Sequence, residues 1–236
     1  MTVEDFDRVL APPGDFDQPP PPSAALLETV GGMKPVRTRT RFGAFALVAL
    51  VGLCWPVAAL GHLPLRRDLT ALPTWWVITA AALWATSFVL SLSAALVPRR
   101  GDVLPAPGRA SRVSVAAMAA VLLFALVATA QAPGLSVRPE DLHWSLLHAC
   151  VHCIGFVFEI SAVFLLIGLL ALRRRVPMGG SRVGMALGAA GGAMGGLVLH
   201  FICPIAGTAH VVLAHVGGMV LAAAAGALLL SGILRR

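Results

Sequence analysis

Charge is scarce in this sequence, and its scarcity excludes a soluble globular protein. Only 12% of the 236 residues are charged and 58% are hydrophobic, with a mean hydropathy of +0.84. Soluble domains carry about 25% charged residues, roughly twice as many. The composition therefore predicts an integral membrane protein that lies in the lipid bilayer.

Three further classes of protein are excluded: secreted proteins, disulfide-stabilised scaffolds and nucleic-acid-binding proteins. The first 41 residues are acidic and proline-rich and contain no apolar segment of the kind found in secretory signals. Four cysteines are too few for a disulfide scaffold. The net charge of +7 does not indicate direct nucleic-acid binding, because the arginines cluster at the edges of apolar runs. Arginines in such places are typical of topology signals.

Long uncharged runs predict an all-α, polytopic fold, a bundle of six membrane-spanning helices over residues 42–234. Residues 183–234 form a run of 52 without charge, whereas one crossing takes about 20 residues. This run therefore contains two spans, and Pro204 and Gly207 are expected to form the turn between them. The six spans are predicted at about 42–63, 73–97, 113–132, 150–172, 183–203 and 209–234.

Lysine and arginine are distributed unevenly between the two sides of the membrane. Fourteen lie before span 1, after spans 2 and 4, and at the C-terminus, whereas the opposite loops contain only Arg66, Arg67 and Arg138. The positive-inside rule then places both termini in the cytoplasm, with the protein in a bacterial inner membrane. All seven histidines and all four cysteines fall in the outer half of the membrane or outside it. Four tryptophans fall toward the outer interface: Trp55, Trp75, Trp76 and Trp144.

Residues 1–41 are predicted to be a cytoplasmic tail that ends in a basic boundary. Residues 1–32 contain six acidic residues and one arginine, a net charge of −5, and the prolines prevent one long helix. This part is expected to be disordered until it binds a partner, with an inert solvated extension as the alternative. Two short apolar patches are candidate partner-binding segments: Phe6, Val9 and Leu10, and Leu26, Leu27 and Val30.

Span 5 has glycine at every fourth position, a spacing that lets another helix approach closely. Packing inside the bundle is the main interpretation, and a homo-oligomer that forms through this face is the alternative. The repeat consists of Gly184, Gly188, Gly192 and Gly196.

Cysteine and histidine concentrate around the turn after span 5 and at the start of span 4. Cys150 and Cys153 form a C-x-x-C motif, which suits a redox pair or two thiolate ligands. His200 and Cys203 are spaced i, i+3. We expect Cys203 to approach one of the other two cysteines, with His200 and His210 as imidazole partners. A metal site would use Cys153, Cys203, His200 and His210, a ligand set that favours zinc, copper or cadmium.

A second tier of candidates lies nearby. On a helical span 4, His148, His152 and Glu159 would fall within about 40° of one another, with the two cysteines on the opposite side. Glu159 lies in the apolar core of a span, where a charge is costly without a partner or a cavity. Anchoring at the interface is the alternative for any single histidine. The lesser candidates for a sensing cluster are His148, His152, His215, Glu159 and Cys54.

The layout of the chain and one late motif resemble the negative-regulator-of-sigma-F family of membrane anti-sigma factors. The motif is Leu199-His200-x-x-Cys203-Pro204 followed by His210 and His215, and Pro35-Val-Arg37-Thr-Arg39 precedes span 1. The resemblance implies a regulator whose cytoplasmic N-terminal region holds an extracytoplasmic-function sigma factor. It also implies that outer cysteines sense metal or oxidative stress, with Cys203 at the Cys-Pro position of the family.

Two function classes fit these features. The first is a signalling protein, a membrane anti-sigma factor whose outer cluster controls the tail. The second is a thiol–disulfide oxidoreductase that uses Cys150 and Cys153 with a quinone. Such an enzyme needs no acidic tail, and the outer loops are too short to bind a protein substrate, so the chain is predicted not to be an enzyme. A metal transporter is a weaker third interpretation, because only one acid lies in the spans.

Overall fold

The computed structural model describes residues 23–24, 41–97, 107–129, 145–172 and 180–233. Within these residues all regular secondary structure is helical, and six segments are long and apolar enough to cross a membrane. The prediction of an all-α, six-span bundle is confirmed. Several predictions concern residues outside these ranges. They are both apolar patches of the tail and its disorder, most of the arginines used for orientation, and His143 with Trp144.

Five helices precede a composite sixth segment. They are α1 (Arg41–His62), α2 (Thr74–Leu96), α3 (Pro107–Thr129), α4 (Leu146–Leu172) and α5 (Gly180–Ile202). The last segment begins with the short helix α6 (Thr208–His210), continues as a π-helix over Val211–Val216, and ends with α7 (Gly217–Ile233).

Helices α3 and α4 begin well before the predicted spans, each for a local reason. Helix α3 begins at Pro107 rather than near Val113, because proline suits the first position of a helix. Helix α4 begins at Leu146 rather than near residue 150, since the backbone N–H of His148 donates to Ser145 Oγ at 3.1 Å. A serine in this position caps the helix N-terminus.

Helix α5 is the centre of the bundle. In its membrane span 78% of the residues are buried, compared with 22% in the span of α1. It packs against α2, α3, α4 and α7. The other helices therefore surround α5. These contacts also position the turn at residues 203–207, which connects α5 to the last segment.

The glycines of α5 are covered by helices of the same chain. Gly184 and Gly188 lie against the backbone carbonyl groups of Gly226 and Ala222 in α7, and a Cβ atom at either glycine would collide with them. Packing inside the bundle, the main interpretation of the glycine repeat, accounts for these contacts; the homo-oligomer alternative stays a prediction. We call the contact the small-residue seam; it comprises Gly184, Gly188, Gly192, Met219, Ala222 and Gly226.

Candidate thiol and imidazole site

Four buried side chains converge where α4, the turn after α5 and the π-helix meet. The potential ligand atoms of Cys153, Cys203, His210 and His215 all lie within 4.8 Å of one another. The two Sγ atoms are 3.8 Å apart, and Cys203 Sγ lies 3.4 Å from His210 Nε2. We call these four residues the thiol–imidazole site.

The spacing of these atoms fits a tetrahedral metal ion. With Zn–S and Zn–N bonds of about 2.3 and 2.0 Å, the S···S edge of a tetrahedron is about 3.8 Å and the S···N edge about 3.5 Å. The observed separations of 3.8 and 3.4 Å are close to both values. Two sulfurs with two nitrogens are a ligand set typical of zinc. The two measured separations thus match those of a tetrahedral site, and the four residues together could hold a metal ion.

Cys203 is positioned by the end of α5. Its backbone N–H donates to the Leu199 carbonyl at 2.8 Å, which closes the last turn of the helix. Pro204 has no N–H to continue the helix and disfavours the helical conformation of the residue before it. The Cys-Pro pair thus places the thiol at the point where the helix stops and the chain turns.

The π-helix brings His210 and His215 together. In a regular α-helix, residues five apart point about 140° away from each other. A π-helix bonds residue i to residue i+5 and so stacks residues five apart. The two imidazole rings are 5.3 Å apart and nearly perpendicular. His215 therefore lies in the four-residue cluster, although the sequence analysis ranked it among the lesser candidates.

Cys150 lies behind the site rather than within it. Its Sγ atom is 3.7 Å from Nδ1 of His210, whose Nε2 faces Cys203. Groups that contact the second nitrogen of a ligating histidine fix the orientation of its ring. The two cysteines of the C-x-x-C motif therefore contact different partners, Cys150 the ring of His210 and Cys153 the thiol of Cys203.

His200, predicted among the metal ligands, lies outside the four-residue cluster and points toward α2. Its Nε2 lies 3.1 Å from the Val77 carbonyl oxygen, and its ring packs on Trp76 with the centroids 5.1 Å apart. Residues spaced i, i+3 on a helix differ by about 60°. That difference is enough to direct the imidazole toward α2 while Cys203 faces α4.

The remaining candidates are exposed and lie outside the four-residue site. His148, His152 and Glu159 lie on the exposed side of α4, opposite its two buried cysteines, as the helical spacing predicts. Cys54 is exposed on α1, and its thiol donates to the Leu50 carbonyl at 3.3 Å.

The connection between α1 and α2 is hydrogen-bonded to the turn that carries Cys203. This contact was not predicted from the sequence. The backbone N–H of Arg66 donates to the Phe201 carbonyl at 2.9 Å. Its guanidinium donates to both carboxylate oxygens of Asp68 at 2.6 Å and to the Pro204 carbonyl at 3.4 Å. Arg66 is buried and the ion pair pre-orients its side chain. An Arg-x-Asp sequence in a short loop was the available signal.

Hydrogen bonding favours the thiolate form of Cys203. The hydrogen bond from the Cys153 thiol, followed by those from His210 and His215, lowers the pKa of the Cys203 thiol, whereas burial raises it. Thiolate is the form that binds metal and attacks electrophiles. The surrounding groups thus prepare this sulfur for both kinds of chemistry.

Two cavities adjoin the site. One, of 580 Å³, lies between α1, α4 and α5 and has Cys153 and Cys203 in its wall. The other, of 20 Å³, lies on the opposite side next to Trp76 and His215. Trp76 Nε1 and His215 Nε2 are buried there without a hydrogen-bond partner from the protein. A space of this volume is large enough for one water molecule.

The family model described as negative regulator of sigma F matches residues 30–235, which include all six helical segments and the thiol–imidazole site. Residues 1–29 precede the matched region, so five of the six predicted tail contacts lie outside it and Val30 lies within it. No curated protein matches the chain, and no solved structure matches it.

Proposed function

Because the chain belongs to the negative regulator of sigma F family, we propose that it is a membrane anti-sigma factor that releases its sigma factor when the thiol–imidazole site receives a signal. The family is one of sigma-factor regulators, and the six helices make the chain a multi-pass membrane protein. The bound protein is an extracytoplasmic-function sigma factor, and the signal is a soft metal ion or an oxidant.

The sigma factor binds to the N-terminal tail in this proposal. Sigma factors bind DNA and polymerase through basic surfaces, and residues 1–32 carry a net charge of −5. The two apolar patches, Phe6 to Leu10 and Leu26 to Val30, supply side chains that fold onto grooves of the partner. Charge thus steers the encounter, and the apolar side chains hold the complex.

The orientation follows from the distribution of basic residues. Fourteen lysines and arginines on one side against three on the other favour a bacterial inner membrane with both termini in the cytoplasm. The thiol–imidazole site then lies toward the outer face, because it adjoins the connection that contains Arg66 and Arg67. The signal is received on one side of the membrane and the sigma factor is held on the other.

The observation that supports a sensing role is the convergence of two thiols and two imidazoles in one buried site. Cys153 and Cys203 would hold zinc, copper or cadmium together with His210 and His215, and Cys150 would orient His210. A bound ion would cross-link α4, the turn after α5 and the π-helix. A coupling of about 1–3 kcal/mol between this site and the tail changes affinity for the sigma factor 5- to 150-fold.

Co-purification of the tagged full-length protein from membranes tests the binding step. We expect the sigma factor to be recovered with the wild type and to be lost with Phe6→Ala combined with Leu10→Ala, while the amount of inserted protein is unchanged. Gln18→Ala, a polar residue outside both patches, is the matched control and should retain the partner. Recovery of the sigma factor by a chain that lacks residues 2–32 would contradict the proposal.

Transcription from a sigma-dependent reporter tests the sensing step. We expect cadmium or peroxide to induce the reporter in wild-type cells. Neither should induce it in cells whose protein carries both Cys153→Ser and Cys203→Ser. Cys54→Ser changes an exposed thiol outside the site and should leave induction intact. Equal induction in all three strains would remove the site from the signalling pathway.

A further inference from the structure

The 580 Å³ cavity beside the thiol–imidazole site has the size and lining of a small-molecule pocket. Such pockets usually enclose about 300–1,000 Å³ and are mainly apolar. Here Trp55, Ala58 and Ala59 of α1 face Phe156 of α4 and Ile202 of α5 across the cavity. A molecule that enters between α1 and α4 is therefore surrounded by hydrocarbon and one indole ring.

The inner wall and the rim of this cavity differ in chemistry. The buried thiols of Cys153 and Cys203 belong to the inner wall, whereas His62, His152 and Glu159 line it as exposed residues. A ligand in this space thus reaches the sulfurs with one end and polar side chains with another. Neither a metal ion nor peroxide needs an apolar cavity of this volume.

Resting on the proposed function, we propose that this cavity binds a quinone dissolved in the bilayer, which oxidises Cys153 and Cys203 to a disulfide. A quinone combines the properties that the cavity selects. Its ring is apolar and flat, its two carbonyl oxygens accept hydrogen bonds, and it accepts two electrons. Two thiols whose sulfurs are 3.8 Å apart supply those two electrons together.

The reaction balances without a further oxidant. The S–H bond of Cys153 breaks while Cys203 reacts as its thiolate, and one S–S bond of about 2.0 Å forms between sulfurs now 3.8 Å apart. The two electrons pass to the quinone together with the proton of Cys153 and one proton from water, into which Cys203 had released its own, and the two carbonyl groups become the hydroxyl groups of a hydroquinone. Formation of the disulfide removes two of the four potential metal ligands at the same time.

Glu159 acquires a role in this site. An acid within a membrane span is costly unless it faces a cavity or a partner. Glu159 lies in the lining of this cavity, and His152 also lines it two turns earlier on α4. Together they are polar groups that hydrogen-bond a quinone carbonyl or the hydroquinone hydroxyl that replaces it. The cavity thus explains an acidic residue that the thiol–imidazole site does not use.

The test uses the reduced, zinc-free, full-length protein in lipid nanodiscs. Tetramethylbenzoquinone is the probe, because its ring has no unsubstituted carbon to which a thiol adds, and hydrogen peroxide is the water-soluble comparison. Mass spectrometry of unreduced peptides follows formation of the Cys153–Cys203 disulfide. Ala58→Trp fills the cavity, and Val57→Trp places the same side chain on the exposed face of α1 outside it.

We expect Ala58→Trp to slow oxidation by the quinone at least about tenfold and to leave the peroxide rate unchanged. Val57→Trp should keep both rates. A peroxide rate that matches the wild type shows that the filled variant is folded around its thiols. If Ala58→Trp slows both oxidants, Leu63→Trp at the rim, which leaves the core intact, provides the deciding measurement. The proposal is overturned if Leu63→Trp slows oxidation by the quinone and by peroxide equally. It is also overturned if neither Ala58→Trp nor Leu63→Trp slows oxidation by the quinone.

The outcome is independent of the anti-sigma function. Disulfide formation is read on the purified chain, so a quinone-specific effect supports the cavity even if no sigma factor is released. Conversely, release of a sigma factor by cadmium or peroxide with no quinone-specific effect of Ala58→Trp would retain the proposed function and refute the quinone site.

Discussion

The small-residue seam and the thiol–imidazole site both involve α5 and the last helical segment, but they are built in opposite ways. In the seam the backbones of α5 and α7 touch, because Gly184 and Gly188 lie against the carbonyl groups of Gly226 and Ala222. At the site, four polar side chains from α4, the turn at residues 203–207 and the last segment meet between these elements. The comparison teaches that close packing fixes where the segments lie, and the polar groups occupy the opening that this packing leaves.

Breaking the seam should produce the largest effect. Gly188→Leu forces a side chain into the Ala222 carbonyl group, and overpacking of this kind costs about 3 kcal/mol or more when the backbone cannot move. We expect a lower midpoint of thermal unfolding in detergent, measured by circular dichroism, and a poorly folded protein. Gly155→Leu is the matched control, because nothing lies within 4 Å of a Cβ atom there. An equal loss in both variants would show that the seam has no special role.

Changing the site should leave the fold intact and weaken metal binding. His215→Ala removes one of four potential ligands, and we expect affinity for zinc to fall by about 100-fold or more, since even outer-shell changes cost 10- to 100-fold. Competition with a chromophoric chelator measures the affinity. His200→Ala removes a neighbouring imidazole that binds the Val77 carbonyl instead, and its effect should stay below about tenfold. The reverse order of the two variants would contradict the assignment of ligands.

Loosening the turn should have the smallest effect. Arg66→Ala removes the hydrogen bond to the Pro204 carbonyl and leaves Asp68 without its partner, so the turn that carries Cys203 is held less firmly. We expect zinc affinity to fall about tenfold, as for other groups outside the ligand shell. Arg67→Ala, an exposed neighbour, should have no effect. Unchanged affinity in both variants would assign the Arg66–Asp68 pair to stability alone.

The sequence predicted the six spans because length and charge are local properties that the membrane requires of each helix. It also predicted that the glycines of α5 pack inside the bundle, although the residues of α7 that face them depend on tertiary structure. The starts of α3 and α4 were missed because Pro107 and Ser145 lie outside the apolar runs. Motif spacing also indicated Cys153, Cys203 and His210, three of the four residues that the structure brings together.

The places of His215 and His200 depend on helix geometry, and for different reasons. Regular α-helical winding would direct His215 away from His210, but the winding at Val211–Val216 is π-helical. His200 lies on the regular helix α5, where the offset of about 60° from Cys203 directs its ring toward α2. Neither difference can be read from the spacing of the histidines and cysteines alone.

The π-helix sets the angular offset between two functions of one continuous segment. Ahead of it, His210 faces the thiols; beyond it, Met219, Ala222 and Gly226 face α5. Returning this stretch to α-helical winding would turn His215 about 140° away from His210 while the seam still held α7 in place. Alternatively, the imidazoles would stay and α7 would have to rotate out of the seam. A change of winding over these six residues is therefore equivalent to a rotation of a transmembrane helix about its own axis.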